Sequence, residues 1–191
     1  SRMSHDLRTP LNAILGFAQI LQMERLTLEQ TESVQQILRG GVHLLELINE
    51  VLDIARIEAG QLSLSPEPVS LADVMHECQT MVEPQARQRR IHVSFPQMAV
   101  PHIVKGDRTR VKQILINLLS NAIKYNRPGG TVVVTCVPSA PGRIRICVED
   151  TGEGLSPADI AQLFQPFNRL GQAATTEEGT GIGLVVSKRL V

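Results

Sequence analysis

The residues best suited to chemistry lie almost at the start of the chain, in the segment SHDLRTPL at positions 4–11. His5 is followed by the carboxylate of Asp6, and the hydroxyl of Thr9 comes one helical turn later. A neutral imidazole is nucleophilic near neutral pH, and an adjacent carboxylate can fix its tautomer and stabilise the cation that forms. These residues predict group transfer at His5. The alternative is a surface histidine at the start of a helix.

A second set of polar residues, Asn117, Asn121 and Lys124, is spaced by four and three positions in an otherwise apolar segment. This spacing places them on one face of a predicted helix. Two amides and an ammonium are costly to bury without partners, whereas amide oxygens can ligate a hard cation and a lysine can meet a phosphate. From these residues alone, an amphipathic helix with its polar face in water is an equal alternative.

Two glycine-containing segments complete the candidate chemistry. The segment DTGEGL at 150–155 comes directly after a predicted strand. Asp150 could accept a hydrogen bond from an exocyclic amine there, and the alternative is an acidic β-turn. The segment GTGIGL at 179–184 opens the last predicted helix, where exposed N–H groups suit a phosphate. Its GxGxG spacing is neither a dinucleotide-binding fingerprint nor a P-loop.

The composition argues against several other classes of protein. The 191 residues carry 19 basic and 19 acidic side chains without a basic patch, so we expect no nucleic-acid partner. We find no signal peptide and no apolar run of about 18 residues, and we expect no membrane contact by this segment. The three cysteines are an odd number without CxxC spacing, which favours buried, reduced thiols in the cytoplasm. The remaining histidines lack metal-ligand spacing and are interpreted as structural: His43, His76, His92 and His102.

The elements that must position His5 are predicted from hydrophobic periodicity. Apolar residues of the first helix, predicted over residues 4–24, recur every three or four positions, as in coiled-coil-like bundles. Thr27 and Gln30 match a capping box that begins a second helix ending near residue 59. Gly40 and Gly41 in that helix favour close packing or bending. Apolar residues of the second helix recur with the same period, and one hairpin cannot bury the stripes of both helices, so we expect two copies to form a four-helix bundle. The first stripe consists of Leu7, Leu11, Ile14, Ala18 and Leu21.

The remainder of the chain alternates between helices and mainly antiparallel strands. Prolines and a change of pattern mark a linker at residues 61–68, and Ser70 and Asp107 are predicted N-caps. Predicted helices cover residues 71–89, 111–125 and 156–164 and begin again near 180, and predicted strands cover residues 91–95, 103–104, 131–137 and 143–149. The pattern predicts an α/β sandwich after the hairpin, so the whole chain is assigned to the α+β class.

Five motifs, taken in order, resemble the catalytic core of a sensor histidine kinase of two-component signalling. HDLRTPLN is similar to the H box, NLLSNAIKYN to the N box, DTGEGL to the first glycine box, FQPFNR at 164–169 to the F box and GTGIGL to the second glycine box. The resemblance covers nearly the whole chain. It implies a dimerisation and histidine-phosphotransfer hairpin at residues 1–60 and a Bergerat-type (GHKL) ATP-binding domain at residues 69–191.

The resemblance also implies a role for each motif residue. His5 would accept the phosphoryl group, Asp6 would orient or deprotonate its imidazole, and Thr9 would hold a water that dephosphorylates the partner. Asn117 and Asn121 would hold Mg²⁺. The other residues implied to contact ATP are Lys124 at the phosphates, Tyr125, Asp150, Gly152 and Gly154 around the adenine, and Gly179, Thr180, Gly181 and Gly183 near the phosphates, with residues 168–179 as a lid.

The implied function is an ATP-dependent autokinase that phosphorylates His5, relays the phosphoryl group to an aspartate of a response regulator, and dephosphorylates that regulator. The sequence ends at Val191, at or just after the last helix, so we expect a truncated sheet. The alternative is therefore a non-catalytic dimerisation and docking module with an incomplete nucleotide domain. A third hypothesis, an ATPase or chaperone-like machine, gives no reason for the residues around His5. The sequence starts inside a motif, so a region before it could anchor a longer protein to a membrane.

Overall fold

The computed structural model describes residues 2–96, 102–168 and 180–191, with side chains from residue 6 onward in the first range. The helices are α1 (Arg2–Gln22), α2 (Leu28–Glu58), α3 (Leu71–Arg89), α4 (Arg108–Lys124), α5 (Pro157–Gln162) and α6 (Gly183–Leu190). The strands are β1 (Glu67–Ser70), β2 (His92–Ser94), β3 (Ile103–Gly106), β4 (Thr131–Ala140) and β5 (Arg143–Asp150). No described helix combines the length and apolar character that spanning a membrane requires.

The described residues form two compact units. The first contains the residues up to 62 together with the described part of 165–186. The second contains the described part of 63–164 together with 187–191.

Helices α1 and α2 form the predicted hairpin in the first unit. The predicted capping box begins α2: the N–H of Gln30 donates to Thr27 Oγ1 at 3.2 Å, and the N–H of Thr27 donates to Gln30 Oε1 at 2.9 Å. These bonds satisfy two backbone donors that a helix start otherwise leaves open. After the C-cap residue Ala59, Gly60 turns the chain with φ +64°, a left-handed conformation that favours glycine.

The inner face of the hairpin differs from the predicted stripe. Leu11 and Ala18 are buried as expected, but the other three members of the stripe stay about half exposed. Leu15, which the prediction omitted, is buried instead. The reason is that α2 covers only one edge of the apolar stripe on α1, the edge on which Leu15 lies one turn from Leu11. The other edge is not covered by the described part of the chain.

Two contacts show how closely the helices of the hairpin approach each other. Arg8 donates to Asn49 Oδ1 through Nη2 at 2.6 Å and Nε at 2.9 Å, which ties α1 to α2. A Cβ placed on Gly41 would lie 2.5 Å from Leu15 Cδ2. Gly41 therefore permits the close packing that its position in the sequence predicted.

The second unit contains two small sheets. β1 pairs antiparallel with β3, and in the other sheet β4 lies between a parallel partner, β2, and an antiparallel partner, β5. Val132 and Val134 of β4 are fully buried, whereas Val133 between them is 38% exposed. This alternation shows that one face of the three-stranded sheet packs on the core.

Helices α3 and α4 supply the other half of that core. Both begin at their predicted N-caps, because Ser70 Oγ accepts the N–H of Asp73 at 3.3 Å and Asp107 Oδ1 accepts the N–H of Arg110 at 3.1 Å. α3 has its predicted bounds, while α4 begins three residues earlier than predicted because Asp107 caps it directly. The core is aliphatic, as the scarcity of aromatic residues indicated: Val69, Val74, Met75, Cys78, Val82, Ala86, Ile91, Leu115, Leu119, Ala122, Ile123, Val132 and Val134.

Some predicted details were wrong. α6 begins at Gly183 rather than near residue 180, and α5 ends at Gln162. Among the cysteines, only Cys78 is buried, and burial raises the pKa of its thiol to about 11. Cys136 and Cys147 are partly exposed. The helical hairpin and the mixed helix–sheet unit nonetheless confirm the predicted α+β class.

Candidate functional site

The structure brings the polar residues of α4 to one face. Asn117, Asn121 and Lys124 are half-buried, whereas Leu119 and Ile123 of the same helix are fully buried in the core. The apolar side chains hold the helix against the sheet, so the polar ones point away from the core. Their spacing of four and three residues therefore produces the single face that the sequence predicted.

The side chain of Asn117 has a defined partner. Its Nδ2 donates to Ser187 Oγ of α6 at 3.2 Å, and Ser187 is itself buried. With the NH₂ group used in this way, the amide oxygen of Asn117 is the atom that can meet a ligand. Amide oxygens are ligands that a hard cation accepts.

The amide oxygens along α4 are of the type that a hard cation such as Mg²⁺ accepts. Within the described ranges, no three His, Cys, Asp or Glu side chains gather in a way that could hold a metal ion. A cation at this helix would therefore depend on the amide oxygens of Asn117 and Asn121 and on oxygens of a bound ligand. Mg²⁺ is commonly held in this shared way, with few protein ligands and several phosphate oxygens.

The C-terminal end of α4 combines a cation with an aromatic ring. Lys124 Nζ lies 4.8 Å from the centroid of the Tyr125 ring, a cation–π geometry. The N–H of Tyr125 donates to Asn121 O at 2.9 Å, and Arg89 Nη1 donates to Lys124 O at 2.9 Å. The end of the helix is thus well anchored, and it presents a positive charge beside a partly exposed flat ring.

The first glycine segment lies against this end of α4. Asp150 ends β5, and its Oδ1 accepts the N–H of Gly152 at 2.8 Å in a tight turn. A Cβ placed on Gly152 would lie 2.5 Å from Tyr125 O, so only glycine fits this approach. Gly154 follows with φ +74°, in the left-handed region that favours glycine. The two elements predicted to surround a base are therefore neighbours.

The second glycine segment is described only from residue 180. Gly179 lies outside the described residues, as does the predicted lid except for Asn168. Thr180 Oγ1 accepts the N–H of Ile182 at 3.2 Å, and Gly183 is the first residue of α6. Gly181 has φ +69°, and a Cβ there would lie 3.1 Å from the backbone of Phe167. The roles predicted for this segment stay predictions.

The segment around His5 belongs to α1. The backbone of His5 is helical, its side chain lies outside the described side chains, and Asp6 and Thr9 are exposed. Because α1 is continuous here, the four-residue spacing places Thr9 on the same face as His5. The catalytic roles predicted for the three residues stay predictions.

A half-buried carboxylate in the first unit had no place in the sequence prediction. Glu50 of α2 carries a buried atom, Oε2, which has no hydrogen-bond partner among the described residues. Burial raises the pKa of Glu50, a hydrogen bond with Thr180 partly offsets this effect, and Glu46 and Asp53 raise the pKa further while His43 lowers it. No sequence signal marks Glu50, because it is one of several acidic residues on a long helix.

Two family models match the chain. The His Kinase A (phospho-acceptor) domain matches residues 1–60, and the histidine kinase-, DNA gyrase B- and HSP90-like ATPase matches residues 106–191. The solved structure of a mycobacterial sensor histidine kinase, MprB, is 30% identical with a TM-score of 0.55, and the match covers 65% of this chain and 78% of that one. The chain belongs to the sensor histidine kinase family.

Longer members of the family match the whole chain. The sensor protein GacS of Pseudomonas syringae pv. syringae is 41% identical over 196 residues, which cover 100% of this chain and 22% of GacS. The structure of full-length ShkA in complex with AMPPNP is 35% identical with a TM-score of 0.80, and the match covers 99% of this chain and 39% of that one. The chain therefore spans about a fifth of the curated relatives it matches. These matches confirm the resemblance and the fold class that the motifs indicated.

Several residues of this kinase-family site were missed by the sequence prediction. Ser187 contacts Asn117, and Lys188 Nζ lies 4.1 Å from the ring centroid of Phe164 in the F box. Asn126 lies in the N box and Thr151 in the first glycine box, but the resemblance implied no role for either residue. The contacts of these residues join distant parts of the sequence, so no local sequence pattern predicts them.

Proposed function

We propose that this chain is the catalytic core of an autophosphorylating histidine kinase. The observation that carries the proposal is that one chain matches a phospho-acceptor domain over residues 1–60, which include His5, and an ATPase domain over residues 106–191. A donor site for the phosphoryl group and an acceptor for it are thus encoded together. The domain division at a linker of residues 61–68 is part of this proposal.

The nucleotide is proposed to bind along α4 and the loop after β5. Asp150 would accept the exocyclic amine of adenine, the ring of Tyr125 would lie beside the base, and Lys124 would meet the phosphates. Asn117 and Asn121 would hold Mg²⁺, which supplies charge neutralisation at the phosphate oxygens when bound. The half-buried amide face and the close approach of Gly152 to Tyr125 support this arrangement.

The proposed reaction transfers the γ-phosphoryl group of ATP to the imidazole of His5. A nitrogen–phosphorus bond forms as the bond from the γ-phosphorus to the bridging oxygen breaks, and ADP leaves with the electron pair. Asp6 would fix the tautomer of the imidazole and take its proton. The phosphoryl group would then pass from His5 to an aspartate carboxylate of a response regulator, and Thr9 would position a water for dephosphorylation of that regulator.

A homodimer through the hairpin is part of the proposal. Large apolar residues of α1 and α2 stay about half exposed or more: Leu7, Ile14, Phe17, Leu21, Ile37, Leu44 and Val51. A row of apolar residues along two long helices suits a second copy of the same hairpin. The four-helix bundle expected from the sequence would cover this row.

The test is incubation of the purified chain with Mg²⁺ and γ-labelled ATP. We expect label that is labile in acid and stable in base, because phosphohistidine has these properties and phosphoserine does not. His5→Ala should abolish the label, whereas His43→Ala on the same hairpin should retain it. Thr9→Ala should keep autophosphorylation and lose phosphatase activity toward the regulator.

Three outcomes would contradict the proposal. Label that persists in His5→Ala, or that survives acid, would exclude His5 as the acceptor. A chain that takes up no label and whose melting temperature does not shift with Mg²⁺–ATP would be the docking module instead.

A further inference from the structure

Three elements of the second unit meet at the side chain of Asn126. Its Nδ2 donates to Thr131 O at 3.0 Å, and its Oδ1 accepts the N–H of Arg127 at 3.0 Å and the hydroxyl of Thr151 at 3.1 Å. Asn126 follows the C-cap of α4, Thr131 begins β4, and Thr151 follows β5. One carboxamide therefore joins the end of a helix to two neighbouring strands.

Thr151 closes the same network from the other side. Its hydroxyl oxygen accepts the N–H of Thr131 at 2.9 Å, and its own N–H donates to Thr131 O at 3.2 Å. The amide of Asn126 has a defined orientation, because its oxygen faces two donors and its nitrogen faces a carbonyl. We call the set of Asn126, Thr131 and Thr151 the polar junction.

Steric evidence shows that the polar junction is tightly closed. A Cβ placed on Gly130 would lie 2.7 Å from Thr151 Oγ1 and closer still to Asn126 Oδ1. Gly130 is buried, and its N–H donates to Arg127 O at 2.9 Å. The junction therefore holds the backbones of its elements at short range and has little freedom to adjust.

Each side of the polar junction carries a residue proposed to surround the base. Tyr125 directly precedes Asn126, and Asp150 directly precedes Thr151. The hydrogen bond between Thr151 and Asn126 thus constrains the backbone that carries Asp150 relative to the backbone that carries Tyr125. Asp150 Oδ1 is already used by the N–H of Gly152, so recognition of an amine depends on where this turn is held.

We propose that Asn126 and Thr151 are positioning residues for recognition of the nucleotide base. The polar junction holds the Asp150 carboxylate where it can accept the exocyclic amine of adenine, and neither residue itself contacts the nucleotide. The inference rests on the proposed function, because it assigns the base to Asp150. Hydrogen bonds weaken steeply when their geometry is lost, so a loosened turn should lose the selectivity of the site before it loses binding altogether.

The test compares equilibrium binding of ATP and ITP, measured by competition with a fluorescent ATP analogue. ITP carries a carbonyl oxygen in place of the exocyclic amine, so the ratio of the two affinities reports the contact with Asp150. Thr151→Val keeps the shape of the side chain and removes its hydroxyl, and Asn126→Ala removes the carboxamide. We expect each variant to weaken ATP binding about tenfold, because losing the charge-assisted hydrogen bond from the exocyclic amine to Asp150 changes an affinity by about this factor. ITP does not make this bond, so its binding should weaken less than about twofold.

Two control variants separate positioning from loss of stability. Thr151→Ser keeps the hydroxyl and should retain the selectivity of the wild type for ATP. Val134→Ala removes core packing in β4 without touching the polar junction, and it should lower the melting temperature with the affinity ratio unchanged. Circular dichroism at the binding temperature establishes that each variant is folded.

The outcomes distinguish this inference from the proposed function. If Asp150→Ala abolishes the selectivity while Thr151→Val and Asn126→Ala keep it, the positioning roles are wrong and the proposed function stands. A ratio that falls equally in Val134→Ala would also overturn the positioning roles. If the wild type does not bind ATP, or Asp150→Ala leaves the selectivity intact, the base contact itself is wrong and the inference falls with it.

Discussion

The close contact between α1 and α2 at Gly41 provides a quantitative test of how the hairpin packs. A Cβ on Gly41 would lie 2.5 Å from Leu15 Cδ2, 3.1 Å from Leu15 Cγ and 3.8 Å from Leu11 Cδ1. Leu15 is only 8% exposed. Because Cγ as well as Cδ2 is too close, rotation of the end of the leucine side chain does not relieve the clash. Gly41→Ala therefore forces the side chain or the helix to shift.

Two opposing effects set the magnitude for Gly41→Ala. Alanine is favoured over glycine inside a helix by about 1 kcal/mol. Overpacking a closed contact costs about 1–3 kcal/mol. We therefore expect Gly41→Ala to lower the free energy of unfolding by about 1 kcal/mol, equivalent to a fall of about 2–4 °C in melting temperature for a chain of this size.

Gly16 provides the matched control on the facing helix. No atom lies within 4 Å of a Cβ placed there, so Gly16→Ala should gain about 0.5–1 kcal/mol. Urea unfolding followed by circular dichroism measures both variants, at one protein concentration because the proposed dimer makes stability concentration-dependent. Leu15→Ala should cost less in the Gly41→Ala background than in the wild type, since the new methyl group occupies part of the space. Equal gains in both glycine variants would refute the close packing.

Three further predictions concern stability and thiol chemistry. Glu50→Gln should raise the free energy of unfolding by about 1 kcal/mol near neutral pH, after allowance for partial exposure, because burial raises the pKa of Glu50 and Oε2 has no partner among the described residues. Because the pKa of Glu50 is raised, the cost of its charge in the folded state is present above that pKa and is lost as the pH falls through it. Urea unfolding at about pH 4 should therefore show a smaller gain in the free energy of unfolding. A gain that does not change with pH would contradict the assignment. Thr27→Ala removes the capping box and should cost about 1 kcal/mol in the same assay, while Thr27→Ser should cost less; equal losses would argue against the cap. A thiol reagent at about pH 8 should modify Cys147 well before Cys78, because burial raises the pKa of the Cys78 thiol to about 11. Rapid modification of Cys78 in Cys147→Ser would show that Cys78 is accessible to solvent and would contradict this prediction.

Local features of the structure were predictable because their causes are local in the sequence. The capping box of α2 needs only Thr27 and Gln30, three positions apart. The start of α3 at Ser70 and the polar face of α4 likewise depend on residue types at short spacing. The order of the five motifs was enough to indicate the kinase family.

Packing at longer range was decided by the tertiary structure. The hydrogen bond of Asn117 to Ser187 joins residues 70 positions apart, and that of Asn126 to Thr151 joins residues 25 positions apart. Two further features are of the same kind: the parallel pairing of β2 with β4, and the burial of Leu15 while three of the five residues of the predicted stripe stay about half exposed. Such contacts form only when the chain between the two residues closes into a loop, and the packing of the whole core offsets the entropy cost of closing that loop. The sequence by itself therefore indicated the kinase family and the candidate site residues, and the packed core decided which neighbours hold those residues.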